Sequence, residues 1–208
     1  METLGKDAYE DDHVVTDLAR MASYMETAVI LGRLEEFFVA TCTFRSPKHF
    51  QGQRRCVILH DYQRVVAMVG LGDYQSGLIQ GYDVRWVGVH PDVRGRKLAM
   101  KLYAYLIIKT KTRLWSGAQQ TPDGRKLWLN LSREPGIEMR VISPTHIDQV
   151  VPGRKQLQGK ARSLYNGRLA EDTRILAFHE SDPVGKWIDL VPIIADEQSI
   201  LRKLEKTA

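Results

Sequence analysis

The stretch VHPDVRGRKLAMKLYAYLI, residues 89–107, constrains the fold more than any other part of this 208-residue chain. An apolar run ends at Pro91, which cannot donate a hydrogen bond to a β-ladder. A short loop with three cations and a glycine follows at 94–97, and behind it apolar residues recur at helical spacing. The pattern predicts a strand that passes through a cationic loop directly into a buried helix.

A junction of this kind is suited to holding an anion. The first N–H groups of a helix have no partner inside the helix, and the helix dipole adds partial positive charge at the same end. Gly95 allows a ligand to approach the backbone closely, and Arg94, Arg96 and Lys97 add full charges. We therefore expect a pyrophosphate site here. The alternative is a solvated turn that holds no ligand.

The rest of the chain alternates strand-like and helix-like segments. Residues 16–38, TDLARMASYMETAVILGRLEEFF, space apolar residues at helical intervals and predict one or two helices. The runs RRCVILHD and QRVVAMVGLGDY, separated by Asp61 and Tyr62, predict a hairpin, and YDVRWVGVHP predicts a third strand. A helix from about Lys97 to Lys109 comes next. TRLWSGAQ is then strand-like, TPDGRKLWLNLSRE has helix-start signals, and GIEMRVI and DTRILAFHE are strand-like again.

This order predicts one mixed α/β domain in which consecutive strands often pair directly, unlike a regular doubly wound sheet. We divide the chain into an acidic lead at 1–15, a domain at 16–195 and a short amphipathic helix at 196–208. Within the domain, 149–172 is polar and basic, and we interpret it as a long loop or a short exposed helix. Its cations either hold an acidic acceptor or form a solvated surface.

Composition narrows the class of protein. The hydrophobic fraction of 43% and the charged fraction of 26% are typical of a folded globular chain. Cys42 and Cys56 lack CxxC spacing and predict two reduced core thiols in a cytoplasmic protein. No signal peptide is visible, and no apolar run is long enough to span a membrane. No histidine pair has metal-ligand spacing, so we predict no metal. The net charge of +5 favours an acidic or phosphorylated partner without separating a nucleotide from nucleic acid.

The sequence VGVHPDVRGRKLA, residues 87–99, resembles the central motif of the GNAT superfamily, the Gcn5-related N-acetyltransferases. In that motif a strand ends in V-x-P, and Arg/Gln-x-x-Gly-x-Gly/Ala opens a helix. Lys97 stands here in place of the middle glycine. The resemblance covers about 50–142, with its core motif at 82–142, and includes the closing strand, helix and strand.

This resemblance implies a GNAT-like fold, with a mixed, mostly antiparallel central sheet flanked by helices. It implies that acetyl-CoA, or another acyl-CoA, is the co-substrate, and that the backbone of Val87 to Val89 holds the pantetheine arm and thioester. The implied reaction transfers the acyl group directly to a primary amine of a small molecule or protein. The loop implied to bind the pyrophosphate comprises Arg94, Gly95, Arg96, Lys97, Leu98 and Ala99.

The resemblance also implies a general base. An acidic residue stands eight positions before the motif proline in many GNAT proteins, and Asp83 occupies that position here. The alternative is a strand-end aspartate that caps a turn. The tyrosine that usually serves as the acid is replaced by Trp128, whose indole N–H cannot protonate a thiolate, and which we interpret as a core or pocket-wall aromatic. Ser116 is our candidate for the second catalytic residue, with Thr121 and Tyr103 near it in the motif scheme.

Three functions are compatible with these features. The first is an acetyl-CoA-dependent N-acyltransferase. The second is a catalytically degenerate GNAT-fold protein with a binding or structural role, similar to acetyltransferase-like proteins encoded by bacteriophages, and Lys97 and Trp128 favour it. The third, suggested by charge alone, is a nucleic-acid-directed protein, whose binding would weaken steeply with added salt. The sequence specifies neither the acceptor nor the oligomeric state, and a dimer is compatible with it.

Overall fold

The fold is described here from a computed structural model, which defines residues 18–19, 25–44, 55–76, 78–117, 121–142, 147–149, 174–186 and 188. The acidic lead at 1–15 and the C-terminal helix predicted at 196–208 lie outside these residues, as does nearly all of the basic stretch 149–172. Among the described residues, the helices lack the combination of length and apolar composition that a membrane span requires.

One nine-stranded sheet forms the centre of the structure, with the strand order β1-β2-β3-β4-β5-β6-β9-β7-β8. Every neighbouring pair is antiparallel except β5 and β6, which are parallel. This mixed, mostly antiparallel sheet with few helices confirms the predicted fold class. The strands are β1 (Met25–Leu34), β2 (Phe37–Phe44), β3 (Arg55–His60), β4 (Val65–Ser76), β5 (Ile79–Val89), β6 (Leu114–Trp115), β7 (Ile137–Ile142), β8 (Ile147–Gln149) and β9 (Arg174–His179).

The prediction of helices through residue 38 is wrong. Leu18 and Ala19 are helical, but β1 and β2 form an antiparallel hairpin whose turn is made by Glu35 and Glu36. The apolar residues of β1 recur at helical intervals, yet β-branched side chains are frequent among them and favour a strand. Val29 and Ile30 are 59% and 61% exposed because β1 is one of the two edge strands of the described sheet.

Two helices cover one face of the sheet. Helix α1 (Leu98–Thr110) and helix α2 (Pro122–Leu131) match the predicted helices, and Thr121 caps α2 by accepting a hydrogen bond from the Gly124 N–H at 3.1 Å. Buried residues of α1 pack onto the inward-facing side chains of the strands and form the main core. Burial of this apolar face holds the strand–loop–helix junction in place.

The opposite face carries two smaller apolar clusters. Cys42 and Cys56 are both buried and are register partners across β2 and β3, where they pack with Leu18 and Met68. They are free thiols, as predicted for core cysteines. The other cluster lies over β6, β7 and β9 and includes Trp115 and Phe178, together with the helical residues Val184 and Ile188.

Candidate functional site at the parting of two strands

Strands β5 and β6 part shortly after they meet. Their parallel ladder consists of two pairs, Tyr82 with Leu114 and Asp83 with Trp115, in the part of the chain that the structure describes. Strand β5 continues to Val89, where it leads into the cationic loop. On the side of β5 that faces away from β4, no described strand pairs with β5 beyond Asp83. We call this edge of β5, from its apex at Asp83 and Trp115 to Val89, the wedge.

A β-bulge lies next to this apex. Gly70 of β4 pairs with Trp86 of β5, whereas Leu71 pairs with Val84, so Arg85 is the additional residue. A bulge bends its strand and redirects the side chains that follow it. Tyr82 and Val84 pack against the main core, so Asp83 between them lies on the sheet face opposite α1. The bulge then turns Val87 and Val89 toward the main core. The side chains of Val87 and Val89 are thus used for packing, which leaves their backbone groups for any ligand in the wedge.

The loop that follows β5 has a backbone conformation that would allow a ligand to approach it closely. Pro91–Val93 form one turn of 3₁₀ helix, and Gly95 has a φ of 81°, in the left-handed region that favours glycine. A Cβ on Gly95 would meet no atom within 4 Å, so space is open beside this residue. The N-cap of α1 is Lys97, at φ 59° and ψ 29°, and its side chain does not cap the helix.

The predicted pyrophosphate residues have different surroundings. Arg94, Gly95, Arg96 and Lys97 are exposed, whereas Leu98 is 1% exposed and packs in the main core. Leu98 and the half-buried Ala99 can therefore contribute to an anion site through the N–H groups of the first helical turn.

Arg96 is already engaged with carboxylates. Its Nη2 donates to Glu35 Oε2 at 2.6 Å and to Glu36 Oε2 at 2.9 Å, and its guanidinium lies 5.0 Å from the ring centroid of Phe37. Lys101 of α1 pairs with Glu35 as well. Hydrogen bonds from Arg96 lower the pKa of Glu36 to about 2. The β1–β2 turn thus places two carboxylates against the predicted anion loop, which the sequence did not indicate.

His90 has a structural role in the loop. Its ring lies between Arg64 and Asp92, with 3.2 Å from Nε2 to Arg64 Nη1 and 3.5 Å from Nδ1 to Asp92 Oδ2. Arg64 Nη2 also contacts Asp92 Oδ2 directly at 3.0 Å. These contacts tie the β3–β4 turn to the start of the loop.

Asp83 belongs to a group of charged and aromatic side chains that we call the Asp83 cluster: Tyr74, Asp83, Arg85, Trp115 and Arg174. Its own side chain is 3% exposed. Oδ1 lies 3.0 Å from Arg85 Nε and Oδ2 lies 3.9 Å from Arg174 Nη1. Asp83 is therefore a buried acid between two guanidinium groups, and the description of it as a turn cap does not fit.

Burial has the largest effect on the pKa of the Asp83 carboxyl. Desolvation raises the pKa of the Asp83 carboxyl above its usual range, and the nearby guanidinium groups of Arg85 and Arg174 oppose that shift only in part. A carboxylate with a raised pKa is better matched to accepting a proton near neutral pH than an exposed one. The Asp83 carboxyl is thus chemically suited to act as a general base.

Ser116 directly follows the register partner of Asp83. It is fully buried, and its Oγ accepts a hydrogen bond from the Ile175 N–H at 2.9 Å. Its backbone N–H donates to the Ile175 carbonyl at 2.8 Å, and its carbonyl accepts from Arg174 Nη1 at 3.1 Å. Ser116 thereby fastens β9 to the end of β6, beside the apex of the wedge.

The other aromatic and hydroxyl residues of the motif scheme have packing or capping roles. Trp128 is buried at 4% exposure and packs on Tyr103, with 5.5 Å between ring centroids, in the main core. Burial raises the pKa of Tyr103, so its hydroxyl stays protonated. Thr121 is occupied as the cap of α2.

A cavity of about 730 Å³ lies at the other end of β5, beside the β4–β5 turn and the C-terminal end of α1. Its wall includes Tyr74, Gly81 and Tyr82, and also the bidentate pair of Arg113 with Asp182, at 2.7 and 2.8 Å. Tyr74 contributes both to this wall and to the Asp83 cluster. Tyr74 is thus the one member of the cluster that lines the cavity.

No protein-family model and no curated protein matches the sequence. Among solved structures, the chain is similar to N-acetylglutamate synthase from Neisseria gonorrhoeae complexed with coenzyme A and N-acetyl-glutamate. The two share 15% sequence identity with a TM-score of 0.37, and the match covers 81% of this chain and 32% of that one. The chain thus spans about a third of the length of that enzyme.

Proposed function

We propose that this protein is an acyl-CoA-dependent N-acyltransferase whose site is the wedge between β5 and β6. The observation that supports this most strongly is the continuity of three features along one strand. The buried acid Asp83 stands at the apex, and beyond it the edge of β5 away from β4 pairs with no described strand. The loop at 94–97 then leads into an α1 N-terminus without a side-chain cap. A thioester carried on a long pyrophosphate-linked arm needs these features in this order.

In this proposal the first turn of α1 and the loop cations hold the pyrophosphate. The loop residues are Arg94, Gly95, Arg96 and Lys97, and the turn adds the backbone N–H groups of Leu98 and Ala99. The backbone of Val87 to Val89 lies along the arm. Gly95 suits this role because its positive φ and the open space beside it allow close approach of a phosphate.

Asp83 is the proposed general base. It takes a proton from the acceptor ammonium, and the resulting amine nitrogen attacks the thioester carbonyl carbon. A C–N bond forms and the C–S bond breaks, the second amine proton is lost, and the departing thiolate takes up a proton. The net products are an amide, free CoA thiol and one released proton. The raised pKa of Asp83 supports the first of these proton transfers.

Ser116 is the proposed proton donor to the thiolate. Its Oγ already accepts a hydrogen bond from Ile175, so its substitution also affects structure. Ser132 offers a matched control, because it is a buried serine whose Oγ donates to the Leu129 carbonyl at 2.8 Å outside the wedge. A larger loss of turnover in Ser116→Ala than in Ser132→Ala, at equal folded fraction, supports the donor role.

The test is acetyl-CoA binding measured by calorimetry. We expect micromolar binding by the wild type, about tenfold weaker binding by Arg94→Ala and none by Gly95→Asp. Arg133→Ala, which removes an exposed arginine after α2, serves as the control and should bind normally. An acceptor screen that follows release of the CoA thiol, with Asp83→Ala as the inactive control, then tests transfer. No binding by the wild type would refute the proposal and leave the fold as a scaffold for another partner.

A further inference from the structure

Trp86 lies on β5 between the two parts of the proposed site. The proposed base Asp83 precedes it in the strand, and the backbone proposed to hold the arm begins directly after it, at Val87. The side chain of Trp86 packs against the apolar cluster around Cys42 and Cys56, which we call the cysteine cluster, on the sheet face opposite α1. The Asp83 side chain lies on the same face, so the indole ring and the proposed base are on one side of the sheet.

The ring of Trp86 lies over the backbone of Gly88. A Cβ on Gly88 would stand 2.6 Å from Cη2 and 2.7 Å from Cζ2 of Trp86, well inside the roughly 3.5–4.0 Å at which carbon atoms pack. Gly88 is not among the glycines with positive φ, so its backbone conformation does not require glycine. The contact with the ring therefore accounts for the missing side chain, and the ring covers the middle residue of the proposed arm-binding segment.

The ring is accessible on one side and supported on the other. Trp86 is half-buried, whereas Trp115 and Trp128, the other tryptophans whose side chains are described, are 0% and 4% exposed. Behind Trp86, the buried side chains of Ile58 and Met68 belong to the cysteine cluster. A ring supported by a close-packed cluster presents a fixed apolar surface to a ligand.

The proposed reaction places the thioester in the same part of the strand. The pyrophosphate is proposed to bind at 94–97, and the attacking amine loses its proton to Asp83, so the arm must extend back along β5 toward that residue. Between Asp83 and the arm-binding segment, Val84 packs against the main core and Arg85 pairs with Asp83. Trp86 is the remaining side chain in this interval, and it is the apolar surface beside the acyl group.

We propose that Trp86 determines the length of the acyl chain and restricts the site to short acyl groups such as acetyl. This inference rests on the proposed acyltransferase function and specifies its donor class. The ring fills the space over Gly88 and is supported by the cysteine cluster, so a longer chain meets a surface that cannot withdraw. A smaller side chain at position 86 opens that space, and each methylene that then leaves water increases the affinity about fourfold.

Donor binding in the absence of an acceptor tests this inference. Calorimetry with free CoA, acetyl-CoA, butyryl-CoA and hexanoyl-CoA gives a ratio of affinities within each variant, and that ratio does not depend on the folded fraction. We expect the wild type to bind butyryl-CoA about tenfold more weakly than acetyl-CoA, and Trp86→Leu to bind it several-fold more tightly than acetyl-CoA. Trp86→Phe keeps an aromatic ring in the cysteine cluster and should give an intermediate ratio, so it replaces the leucine variant should that variant not fold.

Ile58→Ala is the control for loosened packing, because Ile58 is a buried member of the same cluster on β3. It should keep the wild-type ratio. Gly88→Ala adds a methyl group that displaces the ring, so it should weaken acetyl-CoA binding relative to free CoA, and by less when Trp86→Leu is also present.

The two proposals fail in different ways. Acyl-CoA binding with a ratio that Trp86→Leu leaves unchanged, or that Ile58→Ala changes equally, overturns the inference and leaves the acyltransferase proposal standing. A wild type that binds butyryl-CoA as tightly as acetyl-CoA has the same meaning. Failure of free CoA and of all three thioesters to bind refutes the acyltransferase proposal, and the inference falls with it.

Discussion

The side chain of Arg85 lies across the bare backbone of Gly72, where a Cβ would stand 2.8 Å from Arg85 Nε. Gly72 is also the register partner of Asp83. The missing side chain at 72 therefore gives Arg85, the bulge residue, room to turn back and place its guanidinium 3.0 Å from the Asp83 carboxylate. A glycine on β4 thus controls the electrostatic environment of an acid on β5.

Substitution of Gly72 by alanine should shift the pH dependence of the proposed acyl-transfer reaction. The added methyl group displaces Arg85, whose positive charge lowers the pKa of Asp83 against the effect of burial. The pKa of Asp83 then rises further, and because a base must be deprotonated, the acid limb of kcat/KM moves to higher pH. Carbon NMR titration of the Asp83 carboxyl should show the same shift.

Arg85→Gln should shift the acid limb in the same direction, whereas Arg33→Gln, which changes an exposed arginine of β1, should leave it in place. A limb that moves to lower pH in Gly72→Ala would contradict the role given to Arg85.

Asp83→Asn should stabilise the fold at pH 7. The folded-state pKa of Asp83 is raised, so the folded protein binds its proton more tightly than the unfolded chain does. Stability attributable to this group therefore falls as pH rises from the unfolded pKa, about 3.9, through the folded pKa. Denaturant unfolding should show Asp83→Asn more stable than the wild type at pH 7, with the difference shrinking as pH approaches 4. Asp73→Asn, an exposed neighbour on β4, controls for loss of a carboxylate.

The parts of the site that the sequence predicts are local in the chain. The strand, loop and helix at 89–110 follow from apolar periodicity and a proline within one short stretch. The partners of those residues are not predictable in this way. Arg96 meets Glu35 across 61 positions of sequence, and Arg174 reaches Asp83 from β9 because β9 inserts between β6 and β7. No spacing rule encodes a contact that depends on strand order.

The wrong prediction of helices over residues 16–38 has a different physical cause. Apolar residues in β1 and β2 recur at intervals that fit a helix, and pattern alone cannot separate a helix from two strands joined by a tight turn. The turn residue Glu35 has a φ of 56°, a conformation uncommon for glutamate, so no glycine or asparagine marked the hairpin. Arg96 and Lys101 hold Glu35 in place instead. Tertiary ion pairs thus take the place of a turn signal.

The two left-handed lysines at the ends of α1 provide a matched pair of variants. Lys97 has a φ of 59° and Lys111 a φ of 55°, and a non-glycine residue is strained in this region. Lys97→Gly and Lys111→Gly should each raise the free energy of unfolding by up to about 1 kcal/mol, as strain relief exceeds the added entropy of the unfolded chain. Chemical denaturation measures both.

The same two variants distinguish an effect on stability from an effect on ligand binding. Lys97 stands at the N-terminus of α1 and Lys111 at its C-cap. Lys97→Gly should weaken acetyl-CoA binding several-fold at low salt because it removes one cation from the anion loop, and Lys111→Gly should not change it. Tighter binding by Lys97→Gly would show instead that the lysine side chain obstructs the approach of the phosphates.

Neutralising the β1–β2 turn should strengthen binding of the proposed acyl donor. Glu35 and Glu36 hold the guanidinium of Arg96 through hydrogen bonds of 2.6 and 2.9 Å to its Nη2. In Glu35→Gln/Glu36→Gln the guanidinium loses its charged partners and can turn toward a pyrophosphate. We expect acetyl-CoA to bind about 3- to 10-fold more tightly at low salt, and the gain to shrink at high salt because these groups are exposed to solvent.

Calorimetry over a range of salt concentrations measures this effect, and Glu180→Gln, which removes an exposed carboxylate after β9, serves as the control for net charge. The double variant combined with Arg96→Gln should bind like Arg96→Gln alone, because the carboxylates act through Arg96. If the gain persists without Arg96, the carboxylates repel the ligand directly, and the anion lies nearer to the β1–β2 turn than to the start of α1.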